Sequence, residues 1–112
     1  VNILILDDEE YRHDAFRKRF AGHDVWHTFT VAQFRHVYHS ADHVWDLVHL
    51  DHDLGTKETG MNAVDYMVEF RDERRPVHVV VHSWNASAGP LMFSVLHRHG
   101  FNVRYQPFEV SK

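Results

Sequence analysis

The sequence predicts an α/β fold: five strands forming a mostly parallel sheet, with helices covering both faces. Two observations carry this. Short apolar runs without alternation, the mark of strands buried on both faces, recur between stretches of helical periodicity in the order β-α-β-α-β-α-β-α-β. The connections are a few residues long, so each strand reaches the next through a helical crossover, and such crossovers make neighbouring strands parallel. With 112 residues, 44% of them hydrophobic, and neither repeat nor linker, the chain reads as one domain. It can bury roughly two thirds of its unfolded surface.

Residues 1–6 are apolar apart from Asn2 and end in Asp7-Asp8-Glu9-Glu10, negative charge that favours the start of a helix. Tyr11, Ala15, Phe16 and Phe20 space one apolar stripe along that helix, which Gly22 closes. A weaker strand spans 24–29. Thr30 and Gln33 then form a capping-box pattern ahead of Val31, Phe34, Val37, Tyr38 and Ala41 at helical spacing. The third strand, 44–50, runs into Asp51-His52-Asp53-Leu54-Gly55, and residues 55–60 are turn-like. Met61, Val64, Met67, Val68 and Arg71 mark a third helix, whose last turn holds Arg71, Arg74 and Arg75 and which Pro76 stops. Residues 77–81 are the most strand-like of all and lead into His82-Ser83-Trp84-Asn85. Ala88, Leu91, Met92, Val95, Leu96 and His99 give the fourth helical stripe, with Gly100 at its C-terminal cap. A fifth strand, 101–105, ends in Gln106-Pro107-Phe108.

Composition narrows the function. No apolar run approaches the ~18 residues of a membrane span, and no basic segment precedes a small-residue cleavage site. Twelve basic against 16 acidic side chains, with no concentrated basic block, disfavour a long nucleic-acid surface. The absence of cysteine excludes disulfides, thiolate catalysis and cysteine metal sites, and it fits a reducing cytoplasm. Histidine is abundant, at 12 scattered positions, and most of these rings read as half-exposed helix residues.

Open parallel sheets bind ligands beyond the carboxyl ends of their strands. This chain places Asp7 and Asp8 after the first strand, Asp51, His52 and Asp53 after the third, His82, Ser83 and Asn85 after the fourth, and Gln106 after the fifth. Carboxylates forced together raise one another's pKa unless a cation neutralises them, and oxygen ligands of this kind suit Mg2+ or Mn2+. Asp7-Asp8 alone would equally be a helix cap, and Asp51 alone a strand-end turn. Together they favour a metal site of Asp7, Asp8 and Asp51.

The run Ile3-Leu4-Ile5-Leu6-Asp7-Asp8-Glu9 resembles the first strand and acidic pair of response-regulator receiver domains. Asp46-Leu47-Val48-His49-Leu50-Asp51 resembles their third strand, with Asp51 at the phospho-acceptor position, and Ser83 and Gln106-Pro107-Phe108 match the later positions. That likeness implies a flavodoxin-like three-layer sandwich with strand order 2-1-3-4-5, although this sequence leads one to expect a last helix that is short or absent. Gln106 replaces the family's lysine, which pairs with the acyl phosphate. Leu50-Asp51-His52-Asp53-Leu54-Gly55 and His82-Ser83-Trp84-Asn85 are instead similar to the cyclic-phosphate-processing receiver domains, which implies a site built on these two motifs.

Three functions fit. In the first, a metal-dependent hydrolase processes a cyclic phosphate of an RNA end or a cyclic nucleotide. Asp51, His52, Asp53 and His82 are its catalytic candidates, Ser83, Asn85 and Gln106 hold phosphate oxygens, and the helix start after Asn85 adds backbone donors. His52 can equally point away as the strand exits, Asp53 can simply cap the loop, and His82 can pack under a helix if Ser83 faces the site. In the second, Asp51 is the phospho-acceptor of a signalling domain. In the third, the cleft binds a phosphorylated ligand without turnover and Trp84 stacks on a base, although a tryptophan there is more often part of the packing beside the fourth strand. Arg12, Arg17, Lys18 and Arg19 would suit an anionic partner or equally a solvated helix face, the commoner outcome. Phe101 and Phe108, left uncovered by a missing last helix, would suit a homodimer.

Overall fold

The computed structural model describes residues 1–108. Five strands, β1 (Asn2–Leu6), β2 (Asp24–Thr28), β3 (Leu47–Leu50), β4 (His78–Val81) and β5 (Val103–Tyr105), form one sheet in the order β2-β1-β3-β4-β5. Every neighbouring pair is parallel. The crossovers are α1 (Glu10–Arg19), α2 (Val31–Ser40), α3 (Gly60–Glu69) and α4 (Ala88–Arg98). This is the predicted α/β sandwich in the 2-1-3-4-5 order. The expected short or absent last helix concerns residues past Phe108, outside the described residues. Among those described, no helix is long and apolar enough to cross a membrane.

Strand alternation divides the core in two. Leu4, Leu6, Val48, Leu50, Val79 and Val81 face α2, α3 and α4, where Phe34, Tyr38, Val64, Met67, Met92 and Leu96 complete the larger cluster. Ile3 and Ile5 face the other way and pack on Phe16 of α1 and on Phe108. Phe101 and Phe108 are both buried, the first in the larger core and the second under α1, so neither leaves the apolar face on which the homodimer expectation rested.

Several elements differ in detail from the sequence reading. β3 starts at Leu47, because Val44 is exposed and Trp45 turns into the core to donate to the Tyr38 carbonyl, and β5 starts at Val103. α3 ends at Glu69, so Arg71, Arg74 and Arg75 lie beyond it. Arg74 there donates to the Ala41 and His43 carbonyls and ties the turn to the end of α2. Thr30 accepts from Gln33 N–H as a cap should, whereas the Gln33 side chain takes the N–H of Phe29 rather than that of Thr30. The buried face of α1 is His13 and Phe16, and that of α4 is Gly89, Met92 and Leu96, leaving Tyr11 and Leu91 exposed.

Candidate active site at the carboxyl ends of β1, β3 and β4

Three residues immediately beyond adjacent strands form the floor of the site. The ladder continues one step past each strand: Asp51 N–H donates to the Leu6 carbonyl and His82 N–H to the Leu50 carbonyl. Asp7, Asp51 and His82 therefore stand in one row. Because Leu6, Leu50 and Val81 face the larger core, alternation turns this row toward α1. All three are buried, and one ligand atom from each lies within 4.8 Å of the others. The His82 Nε2–H donates to Asp7 Oδ2 at 2.8 Å. His82 thus does both things the sequence left open: it packs under α1 against Phe16, with ring centroids 5.3 Å apart, and it reaches into the site.

Arg12, in the first turn of α1, completes the floor. Its Nη1 lies 3.2 and 3.1 Å from the two oxygens of Asp7 and 3.0 Å from Asp51 Oδ2. A guanidinium thus stands between the two carboxylates. The sequence leaves Arg12 to an anionic partner or to a solvated face, and in the structure its anionic partners are the site's own carboxylates. Its position five residues after Asp7 is compatible with this contact but does not by itself set Arg12 apart from Arg17, Lys18 and Arg19.

The charges respond unequally. Burial pushes the Asp7 carboxyl up, but hydrogen bonds from His82 and from Glu9 N–H outweigh it and hold Asp7 below the usual value. Burial, and then the neighbouring Asp7, push Asp51 up to about 6. Asp8 is also raised, by burial and by Asp7 and Glu9, at the half-buried rim. Its carboxylate lies under the loop at Gly55, where a Cβ would sit 3.3 Å from Asp8 Oδ2 and where φ is +67°. Gly60 has a sharper role: a Cβ there would lie 1.9 Å from the Asp51 carbonyl oxygen. Only glycine lets the start of α3 press against the strand end that carries Asp51.

The remaining predicted residues form a second, more exposed group. The His52 ring pairs with Asp53 Oδ1 at 2.8 Å, and Asn85 Nδ2 approaches both Asp53 oxygens at 3.4 Å. His52 contributes its backbone N–H to Asp51 Oδ1. Ser83 is buried, and its Oγ accepts from Asn85 N–H. Gln106 is exposed, with its N–H on the Val81 carbonyl. Behind His82, the buried His49 places its Nδ1 3.4 Å from His82 Nδ1, and burial followed by His82 keeps its pKa well below that of a free imidazole. The sequence reading gave His49 no role beyond its strand.

The arrangement can hold a divalent cation. Two carboxylates and an imidazole converge, and a cationic nitrogen already satisfies the carboxylates from α1. A separate concavity lies elsewhere. It measures about 620 Å³, runs along the opposite ends of the strands between Leu47, His78, Val80 and Arg104, and contains none of these groups.

The family model of the cyclic-phosphate processing receiver domain matches residues 2–98. Among solved structures, the signal receiver domain of a LuxO repressor protein from Vibrio parahaemolyticus superposes with a TM-score of 0.73 at 13% identity, covering 98% of this chain and 79% of that one. The non-phosphorylated HemR receiver domain from Leptospira biflexa gives 0.74 at 18% identity, covering 98% and 83%. The response regulator TrrA from Thermotoga maritima, in complex with Mg2+ and BeF, gives 0.71 at 13% identity, covering 98% and 88%. At these identities the likeness is one of fold. No curated protein matches the chain.

Proposed function

The chain belongs to the cyclic-phosphate processing receiver domain family, and from that premise we propose that it is a metal-dependent phosphodiesterase that opens a cyclic phosphate, of an RNA end or a cyclic nucleotide, in a reducing cytoplasm. The observation that carries this reading is the imidazole in the acidic row: His82 Nε2 lies 2.8 Å from Asp7 Oδ2, in the same buried cluster as Asp51. A floor built only to hold a cation and a phosphoryl group has no need of a buried proton carrier. Opening a cyclic phosphate does, because water adds to phosphorus, one ring P–O bond breaks, and the departing alkoxide takes a proton.

Each side chain has a part in that reaction. Asp7 and Asp51, with Asp8 at the rim, would hold Mg2+ or Mn2+, which when bound supplies charge neutralisation for the non-bridging oxygens. The His82 imidazole is the group placed to give and take a proton, and the ionised Asp7 fixes its ring. Arg12 contributes guanidinium N–H donors that suit phosphate oxygens once the carboxylates have another cation. Asn85 and Ser83 offer further polar contacts at the edge, and Asp53 orients both His52 and Asn85.

The test is end-opening of a panel of 2′,3′-cyclic phosphates and cyclic nucleotides with Mg2+ or Mn2+, beside Asp51→Asn and His82→Ala. Turnover that both substitutions and chelation abolish supports the reading. A stable phosphoryl adduct on Asp51 after acetyl phosphate, without turnover, would instead assign the chain to phospho-signalling. Ligand binding with neither outcome would make it a sequestering module.

A further inference from the structure

We infer that Trp84 is a stacking platform for a nucleobase, so that the ligand of this site is a nucleotide recognised at both its phosphate and its base. This rests on the phosphoester reading above and extends it to the substrate's non-reacting end. Trp84 is the most exposed of the large hydrophobic residues, at 66% of its surface. The other two tryptophans pack together in the core, with ring centroids 5.1 Å apart. Among the described residues the Trp84 ring meets no aromatic or cationic partner, and its Nε1–H has no acceptor. It does not serve the packing beside β4 that the sequence allowed.

Its backbone, by contrast, is fixed on both sides. Tyr105 Oη–H donates to the Ser83 carbonyl at 3.0 Å, and Gly89 makes room for that tyrosine, since a Cβ at 89 would lie 2.6 Å from the ring. Asn85 donates its N–H to Ser83 Oγ, accepts the Ser87 and Ala88 N–H groups on its Oδ1, and reaches Asp53. The loop is thus pinned at 83 and 85 while the indole between them projects into solvent. An unpartnered aromatic carried on a fixed backbone between His82-Ser83 and Asn85 presents an open π-face to a planar ligand, and little backbone ordering is needed to bind one. Beside a floor of carboxylates, guanidinium and imidazole, the planar group that arrives attached to a phosphate is a nucleobase.

The experiment compares Trp84→Ala with the unaltered chain on uridine and adenosine 2′,3′-cyclic phosphates and on glycerol 1,2-cyclic phosphate, which has the same reacting ring and no base. Tryptophan fluorescence is followed in parallel on adding AMP or ribose 5-phosphate. The expected result is a KM raised roughly 5- to 150-fold for the nucleoside substrates with kcat little changed, the range set by base–aromatic stacking of ~1–3 kcal/mol, and no change for the glycerol compound. AMP, not ribose 5-phosphate, should quench the indole. Equal KM values for all three substrates in both proteins would overturn the base platform and leave the phosphodiesterase reading standing. Quenching by AMP alone, lost in Trp84→Ala and unaccompanied by turnover of any substrate, would do the reverse.

Discussion

Asp51→Asn should stabilise the metal-free chain at neutral pH. Burial beside Asp7 lifts the Asp51 pKa from 3.8 to about 6, a difference of roughly 2 units, or about 3 kcal/mol at 1.36 kcal/mol per unit. The sign follows from proton counting. Between about pH 4 and 6 the folded carboxyl keeps a proton that the unfolded one has released, so this group's stability contribution is complete below pH 4 and lost as pH rises through 6. Asparagine imitates the protonated form at every pH. Its amide cannot reproduce both the Arg12 contact at 3.0 Å and the His52 N–H contact at 2.9 Å, so part of the gain is returned. A net gain of about 1–2 kcal/mol remains, on the order of 5–10 °C in Tm for a domain of this size. Thermal melts of both proteins at pH 7.5 and 4.5 measure it, and the gap should nearly close at the lower pH. Added Mg2+ should narrow it at pH 7.5 by stabilising only the unaltered chain. A less stable Asp51→Asn at pH 7.5, or a gap of equal size at pH 4.5, would refute the electrostatic account of the cluster.

Other consequences can be checked separately. Arg12→Gln removes the guanidinium that competes for Asp7 and Asp51, so Mn2+ affinity followed by titration calorimetry should rise by roughly tenfold, about 1.4 kcal/mol; weaker Mn2+ binding would contradict a displaceable counter-ion. Gly60→Ala puts a methyl group 1.9 Å from the Asp51 carbonyl, and the overlap should outweigh any helix propensity gain of ~1 kcal/mol, lowering stability by about 2 kcal/mol or more in urea titration. An unchanged urea midpoint would mean that the α3 start does not press on that strand end. His49 is kept neutral by burial, so the stability it supports is present above about pH 6.5 and is lost as pH falls below that value. His49→Leu should flatten this acid-side loss between pH 6.5 and 5, and an unaltered pH profile would show that His49 is not its source.

Those parts of the molecule that follow from backbone pattern were legible in the sequence. Three buried apolar runs, β1, β3 and β4, each closed by a polar residue, form the centre of the sheet and put Asp7, Asp51 and His82 at its carboxyl edge. The row they form depends on parallel register, which follows from a two-residue period together with the strand order that the receiver resemblance implies. What escaped were residues whose role depends on rotamer and on which helix face lies against the sheet. Arg12 sits among Arg17, Lys18 and Arg19, and one-dimensional spacing does not separate the cation that folds back over Asp7 from those that reach solvent. Tyr11 and Leu91 fit the apolar stripes of their helices, yet both are exposed, because α1 and α4 turn narrower faces, centred on Phe16 and on Met92 and Leu96, toward the sheet. His49 was hidden for the opposite reason: in a buried strand it reads as a polar interruption, and only its pairing with His82 gives it a partner.

The cluster also shows why one site is compatible with both a stable fold and a reactive centre. Two buried carboxylates with no cation would leave a fold of this size, typically stable by 5–15 kcal/mol, with a heavy electrostatic debt. Arg12 and His82 offset it from within: the first places a fixed positive charge between Asp7 and Asp51, and the second gives Asp7 a hydrogen bond that keeps it ionised. The compensation is incomplete at Asp51, whose raised pKa is the residue of that imbalance. An arriving divalent cation would be repaid by relieving Asp51, while it frees Arg12 for an anion. Cation and phosphoester binding should therefore be positively coupled: each should raise the affinity of the other by the same factor, as linkage requires, and Arg12 is the side chain through which that coupling would pass.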